Sequence, residues 1–178
     1  ALAGCDLPRR LFFPTHCNRR KGLLDQAIAH ARQGGYMDLT VSTTPELIEA
    51  GELPALEAHR SALEAGAPFG RLTFSSDAGG SLPLYRDGEL VGLTTAAPAS
   101  LLDLLRTASA GRSQPPAKVL AALTCNPADA LKLPKKGRIA SGADADLLLV
   151  DPAAAQLNEV FCLGRRLLRH GRIDIQKT

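Results

Sequence analysis

Three short apolar runs constrain this chain most: RLFFPTH at 10–16, YMDLTVS at 36–42 and RLTFSSD at 71–77. The segments between them have helical period. In RKGLLDQAIAHARQ, residues 20–33, the side chains of Leu23, Leu24, Ala27, Ile28 and Ala31 form one apolar stripe, and Gly34-Gly35 supplies a stop. Residues 45–66 hold a second helical stretch, chiefly LPALEAHRSALEAG, again closed by glycine. Strand, helix, strand, helix, strand is the order of parallel βαβ units, because parallel neighbours need a crossover and a helix usually provides it. Pro14 lies near the end of the first run, where a missing ladder donor is tolerable.

The pattern then changes. Residues 97–133 read as two or three helices, with Ser113-Gln114-Pro115-Pro116 as a loop between them. GRIASGADADLLLVDP and VFCLGRRLLRHGRIDI follow as short strands separated by glycine and aspartate turns. The expected division is an α/β part over residues 1–137 and a small β-module over 138–178.

With 178 residues, the chain is long enough for a real core. Its 21 basic and 18 acidic residues leave a formal charge of +3, interspersed apart from Arg19-Arg20-Lys21 and Lys135-Lys136. With only 4% aromatic residues there is no stacking platform, so no nucleic-acid partner is expected. No G-x-G-x-x-G or P-loop argues for a nucleotide. No apolar run reaches the length of a membrane span, and no signal peptide is visible. Cys5, Cys17, Cys125 and Cys162 show neither CxxC nor zinc-finger spacing, which favours reduced thiols and a cytoplasmic location.

His16 closes the first run and Asp77 the third. In parallel α/β folds the C-terminal strand ends converge on one face, so this pair is placed to share a metal. The bland alternatives are a hydrogen-bonded rim histidine and a turn or N-cap aspartate. Two ligands do not hold a catalytic zinc, which takes three protein ligands and a water. Arg19, three residues beyond His16, has a planar fork suited to a carboxylate, or is a solvated arginine at a helix start. Ser81 follows Gly79-Gly80 and either offers a hydroxyl to substrate or completes an ordinary turn. His30 and His59 read as surface or rim residues, His170 as a strand-end residue, and Cys17 as a packed thiol.

The run TCNPADALKLPKKGRIASGADADLLLVDP resembles the closing signature of the amidohydrolase superfamily: a helix from Asn-Pro-Ala, a glycine turn, and a Gly-x-Asp-Ala-Asp-Leu strand. FFPTHCNRR, GGYMDLTVS and FSSDAGGSLPLY, in that order, resemble the isoaspartyl (β-aspartyl) dipeptidases of that superfamily. One departure is Ala78-Gly79, where those enzymes carry Gly-Asn. The resemblance implies an α/β fold: the C-terminal portion of a (β/α)8 TIM-type barrel, about its last three strands, followed by part of a small β-sandwich module. It implies zinc-dependent hydrolysis of an isoaspartyl dipeptide by two zinc ions sharing a bridging hydroxide and a carbamylated lysine. His16 and Asp77 would be metal ligands, Asp77 also the proton shuttle, and Arg19 and Ser81 the substrate contacts. The complete enzyme would be a homo-oligomer.

The family's His-x-His pair, bridging lysine and further histidine ligand lie upstream of the strand that ends at His16. A full barrel takes about 250 residues. The chain is therefore expected to be a C-terminal part that cannot assemble the binuclear site alone and has open strand edges. It should contain no closed barrel, and His16 and Asp77 should lie on one face. Competing readings are a cyclic amidase, an N-acyl amino acid deacylase, or a non-catalytic amidohydrolase-like module. Arg19 favours the dipeptidase, since a free α-carboxylate requires a cation.

Overall fold

Two strands at the centre of the first half pair in parallel: β1 (Met37–Thr40) and β2 (Leu72–Ser75), with Met37 opposite Leu72 and Thr40 opposite Ser75. They belong to a computed structural model that describes residues 6–111, 116–151 and 156–173. Contacts divide the chain into two units, the first ending at Leu101 and the second starting at Leu102.

In the first unit, residues of β1 and β2 alternate between an apolar and a polar face, as strand geometry requires. Met37, Leu39, Leu72 and Phe74 are buried on one face, and Asp38, Thr40, Thr73 and Ser75 occupy the other. Helix α1 (Lys21–Arg32) leads into β1, and the crossover from β1 to β2 uses the short α2 (Pro45–Glu49) and α3 (Ala55–Glu64). Thr44 caps α2 by accepting from Leu47 N, and Pro45 stands at the first helical position, where it forfeits no bond. Leu24, Ala27, Ile28 and Ala31 of α1 and Ala55, Ala58 and Ala62 of α3 are buried, and both helices touch β1. Burying each large side chain here stabilises the fold by roughly 1.5–3 kcal/mol. The small residues of α3 let its axis approach closely.

Three expectations change. The apolar run at 10–16 is not a strand: Arg9–Leu11 forms a 3-10 turn, and the residues after it run extended to His16. Asp38 N donates to Pro14 O and Cys17 N to Asp38 O, both at 3.0 Å, but the left-handed backbone of His16 (φ 56°) breaks any regular ladder. Leu23 lies off the buried stripe and is 46% exposed, beside a groove of about 650 Å³ that Phe12, Phe13 and His30 also line. His59 is fully buried, its ring 5.0 Å from that of Phe74.

After β2 comes a hairpin that the sequence pattern left unassigned, β3 (Ser81–Arg86) and β4 (Glu89–Thr95). Asp87 and Gly88 form its two-residue turn with φ of 54° and 82°, the type I′ geometry that asparagine, aspartate and glycine favour. Leu90, Val91 and Leu93 on β4 are exposed.

The second unit takes most of α4 (Ser100–Ala110), then α5 (Pro116–Leu123) and α6 (Cys125–Ala130). The expected two or three helices are thus three. Residues 112–115, most of the predicted loop, lie outside the described residues, as does Cys5. The strands β5 (Leu147–Val150), β6 (Leu157–Cys162), β7 (Arg165–Arg169) and β8 (Arg172–Ile173) form one antiparallel sheet in chain order. Leu163-Gly164 and His170-Gly171 turn between neighbours with the same left-handed pair of residues as Asp87-Gly88. Before β5, residues 137–146 form no strand, and Lys136 pairs with both Asp144 and Asp146.

The described residues contain sheets of two, two and four strands, and none closes into a barrel. The four-stranded sheet is a single layer, and no second layer of a sandwich is present among the described residues. No helix among them is long and apolar enough to cross a membrane.

Candidate functional site

The polar face of the β1–β2 pair is built around Asp38. Its carboxylate accepts from Thr73 Oγ1 at 2.6 Å and from Ser75 Oγ, both on the neighbouring strand. Its backbone N–H and C=O bond to Pro14 and Cys17. One residue thus joins the segment leading to His16 with the strand leading to Asp77. Burial pushes the Asp38 carboxyl above the usual carboxylate range; the Ser75 and Thr73 hydroxyls and the nearby His16 oppose that, and Asp77 adds to it. His16 and Asp77 therefore act on the same carboxylate, from the same end of the parallel pair.

Both residues reach that end through a left-handed backbone, φ 56° at His16 and 51° at Asp77. The other described non-glycine residues with positive φ, Asp87, Lys132, Leu163 and His170, lie in hairpin turns or just beyond a helix. His16 Nδ1 is 2.9 Å from Thr40 Oγ1. With its proton on Nδ1 the ring donates to that hydroxyl, and the Nε2 lone pair is left for a metal. Asp77 sits in a turn in which Gly80 N donates to its carbonyl at 2.8 Å. A Cβ on Gly80 would stand 2.8 Å from the backbone carbonyl oxygen of Asp77 as well as 2.6 Å from its Oδ2, so the turn leaves room only for glycine there.

Asn18, two residues past His16, is buried, and its amide takes over the ladder that His16 interrupts. Its Oδ1 accepts from Thr40 N at 2.9 Å and its Nδ2 donates to Thr40 O at 3.0 Å. Nδ2 also donates to Leu53 O at 2.9 Å. Arg19 is partly exposed and ion-paired with the buried Glu52, Nη1 donating to Oε2. Ser81 is exposed at the first position of β3, opposite Thr95, four residues beyond Asp77. Cys17 is buried as expected, and burial pushes its thiol up to about 11.

For a metal, the donors on offer are Nε2 of His16 and the carboxylate of Asp77, which have no hydrogen-bond partner among the described residues. That pair fits a divalent cation chemically but is incomplete. No group of three or more His, Cys, Asp or Glu side chains close enough to hold a metal ion occurs among the described residues.

The sequence reading missed Asp38, Thr40, Asn18 and Glu52. Asp38 had a legible signal, a charge inside the apolar run YMDLTVS. Glu52, between glycine and leucine in a loop, had none.

The sequence profile of the amidohydrolase family matches residues 43–167, and the chain belongs to that family. Its fold is an α/β fold related to the TIM-barrel enzymes. A more particular likeness is to the β-aspartyl dipeptidase of the thermophilic, keratin-degrading Fervidobacterium islandicum AW-1. Its structure with a β-Asp-Leu dipeptide is 32% identical, with a TM-score of 0.82 over 99% of this chain and 45% of that one. A second structure of that enzyme is 29% identical, with a TM-score of 0.79 over 99% and 43%. An enamidase of the amidohydrolase superfamily shares the fold at 18% identity and a TM-score of 0.60, over 90% and 41%. The chain thus spans less than half the length of these relatives.

Proposed function

We propose that the complete protein hydrolyses the β-aspartyl peptide bond of dipeptides with zinc, and that this chain supplies one side of the active site. The observation that carries the reading is the convergence of two left-handed residues, His16 and Asp77, on one end of a parallel strand pair, with Arg19 three residues from the first. The likeness to a β-aspartyl dipeptidase supports the choice of substrate.

His16, through Nε2, and Asp77 would hold metal together with ligands from outside this chain. Zinc at such a site polarises a carbonyl and lowers the pKa of water to about 7. The other contributions come from the protein. Thr40 keeps the His16 proton on Nδ1. Asp77 takes the proton of the attacking water on a carboxylate oxygen and delivers it to the departing amine, a role worth about 10²–10⁴ in rate. Arg19 binds the substrate α-carboxylate, and the exposed hydroxyl of Ser81 donates to it or to its neighbour. Holding the carboxylate fixes the scissile amide against the reacting groups.

The test is turnover of β-Asp-Leu by the complete protein, with and without chelation and zinc restoration, against a cyclic amide and an N-acyl amino acid. The expected result is zinc-dependent cleavage of the dipeptide, with Arg19→Met raising KM on the order of 10²-fold. Preference for the cyclic amide or the acyl amino acid would replace this reading with another amidohydrolase activity. An inert complete protein would make it a non-catalytic member.

A further inference from the structure

We infer that Glu52 is the positioning residue for Arg19 and thereby sets the site's demand for a carboxylate; the inference rests on the role proposed for Arg19.

Glu52 lies in the loop between α2 and α3, far from Arg19 in sequence, yet its side chain is only 2% exposed and paired with the guanidinium. Three bonds fix that meeting. Leu53 N donates to Asn18 O and Asn18 Nδ2 to Leu53 O, both at 2.9 Å, and Glu52 N donates to Leu47 O at 2.9 Å. Asn18 and Leu53 are the chain neighbours of Arg19 and Glu52, so clamping the first pair aligns the second. The site is built on both sides of the contact.

The chemistry is that of a one-sided grip. Glu52 Oε2 takes Nη1, and Oε1 is buried without a partner among the described residues. Nη2 and Nε of Arg19 have no partner there either, and the arginine side chain remains 25% exposed. A guanidinium has five donors in a rigid plane, so anchoring one edge leaves another edge aimed outward. A free arginine would lose that orientation to rotamer freedom and would have to regain it on binding. A buried carboxylate lacking half its partners is costly, and the arginine charge offsets that cost only while the pair persists. Glu52 thus acts through Arg19 and touches no substrate.

The experiment uses the complete zinc-loaded protein, wild type, Glu52→Gln and Glu52→Asp, with β-Asp-Leu and with the same dipeptide carrying a carboxamide in place of its α-carboxylate. Glu52→Gln should raise KM for the acid about tenfold with kcat within about twofold, and should leave the already poor carboxamide unchanged. Glu52→Asp, which keeps the charge, should recover part of the loss, and it serves alone if the glutamine variant does not fold. Equal loss on both substrates, or a fall in kcat alone, would overturn the inference. A lower KM in Glu52→Gln would also overturn it, by making Glu52 a competitor for Arg19. If the wild type cleaves neither peptide, the dipeptidase reading fails separately. Succinate binding by calorimetry then decides: weakening by both Arg19→Met and Glu52→Gln sustains the pairing role, and indifference to either refutes it.

Discussion

The two units of this chain bury different kinds of residue. In the first, Asn18, Asp38, Thr40, Ser42, Glu52, His59 and Thr73 are buried alongside the apolar core; in the second, Asn126 is the buried polar residue among those described. The second unit keeps its charges outside, in surface pairs such as Arg138 with Asp129 and Lys136 with Asp144 and Asp146. Packing alone favours the second arrangement, since burying polar groups is costly unless each finds a partner. The first unit accepts that cost near its strand ends, where Thr40 bonds His16, Glu52 pairs with Arg19, and Asn18 ties Thr40 to Leu53. The first unit holds its interior polarity in place with hydrogen bonds, and the second pairs its charges at the surface.

The contrast is sharpest at Asp77. Asp77→Asn in the complete protein removes the group proposed to move the proton and should lower kcat by about 10³-fold or more with little change in thermal unfolding. A comparable loss of activity from any surface-pair variant of the second unit would break the comparison. Next in size is Asn18→Ala, which strips partners from both backbone groups of Thr40 and from Leu53 O; chemical denaturation should show a loss of about 2–4 kcal/mol. A neutral outcome would mean that water replaces the amide and that the buried network is dispensable.

The cysteines extend the comparison. Burial favours the neutral thiol at Cys17, so its thiolate stays scarce until pH approaches about 11, whereas Cys162 is exposed. At pH 8, iodoacetamide followed by peptide mapping should modify Cys162 on the order of 10² times faster than Cys17. Similar rates would mean that the first unit opens readily. The smallest effect is expected from Arg138→Gln, whose pair with Asp129 is solvated: Tm should move by no more than about 2 °C.

Much of this organisation can be read from the sequence. The stripe of α1 apart from Leu23, the helical stretch that becomes α3, the runs that become β1 and β2, and the turn from helices to antiparallel strands all follow from period and from glycine placement. The hairpin β3–β4 was not assigned, although Asp87-Gly88 between SLPLYR and ELVGLTT carries a turn signal. The first run was misleading because its composition suits a strand while the left-handed step at His16 forbids one, and that step is held by bonds from Cys17 to Asp38 and from Asn18 to Thr40, each more than 20 positions away. His59 reads as a rim residue because EAHRSALE is charged around it, whereas the fold buries it with its ring beside that of Phe74. In the site, His16 and Asp77 are visible by their positions after apolar runs. Glu52 is not, because its meeting with Arg19 depends on a loop that sequence neighbours do not specify.

The left-handed backbone at His16 and Asp77 also limits how such a site could be re-engineered. Residues that visit this region readily are glycine, asparagine, aspartate and histidine, whereas for most others it costs roughly 1–2 kcal/mol. The usable alphabet at these two positions is therefore short. Cysteine or glutamate, the natural choices for retuning a metal preference, would have to overcome the conformation of the main chain before their donor atoms mattered. At this end of the strands, main-chain handedness narrows the choice of side chain before any role in metal binding comes into play.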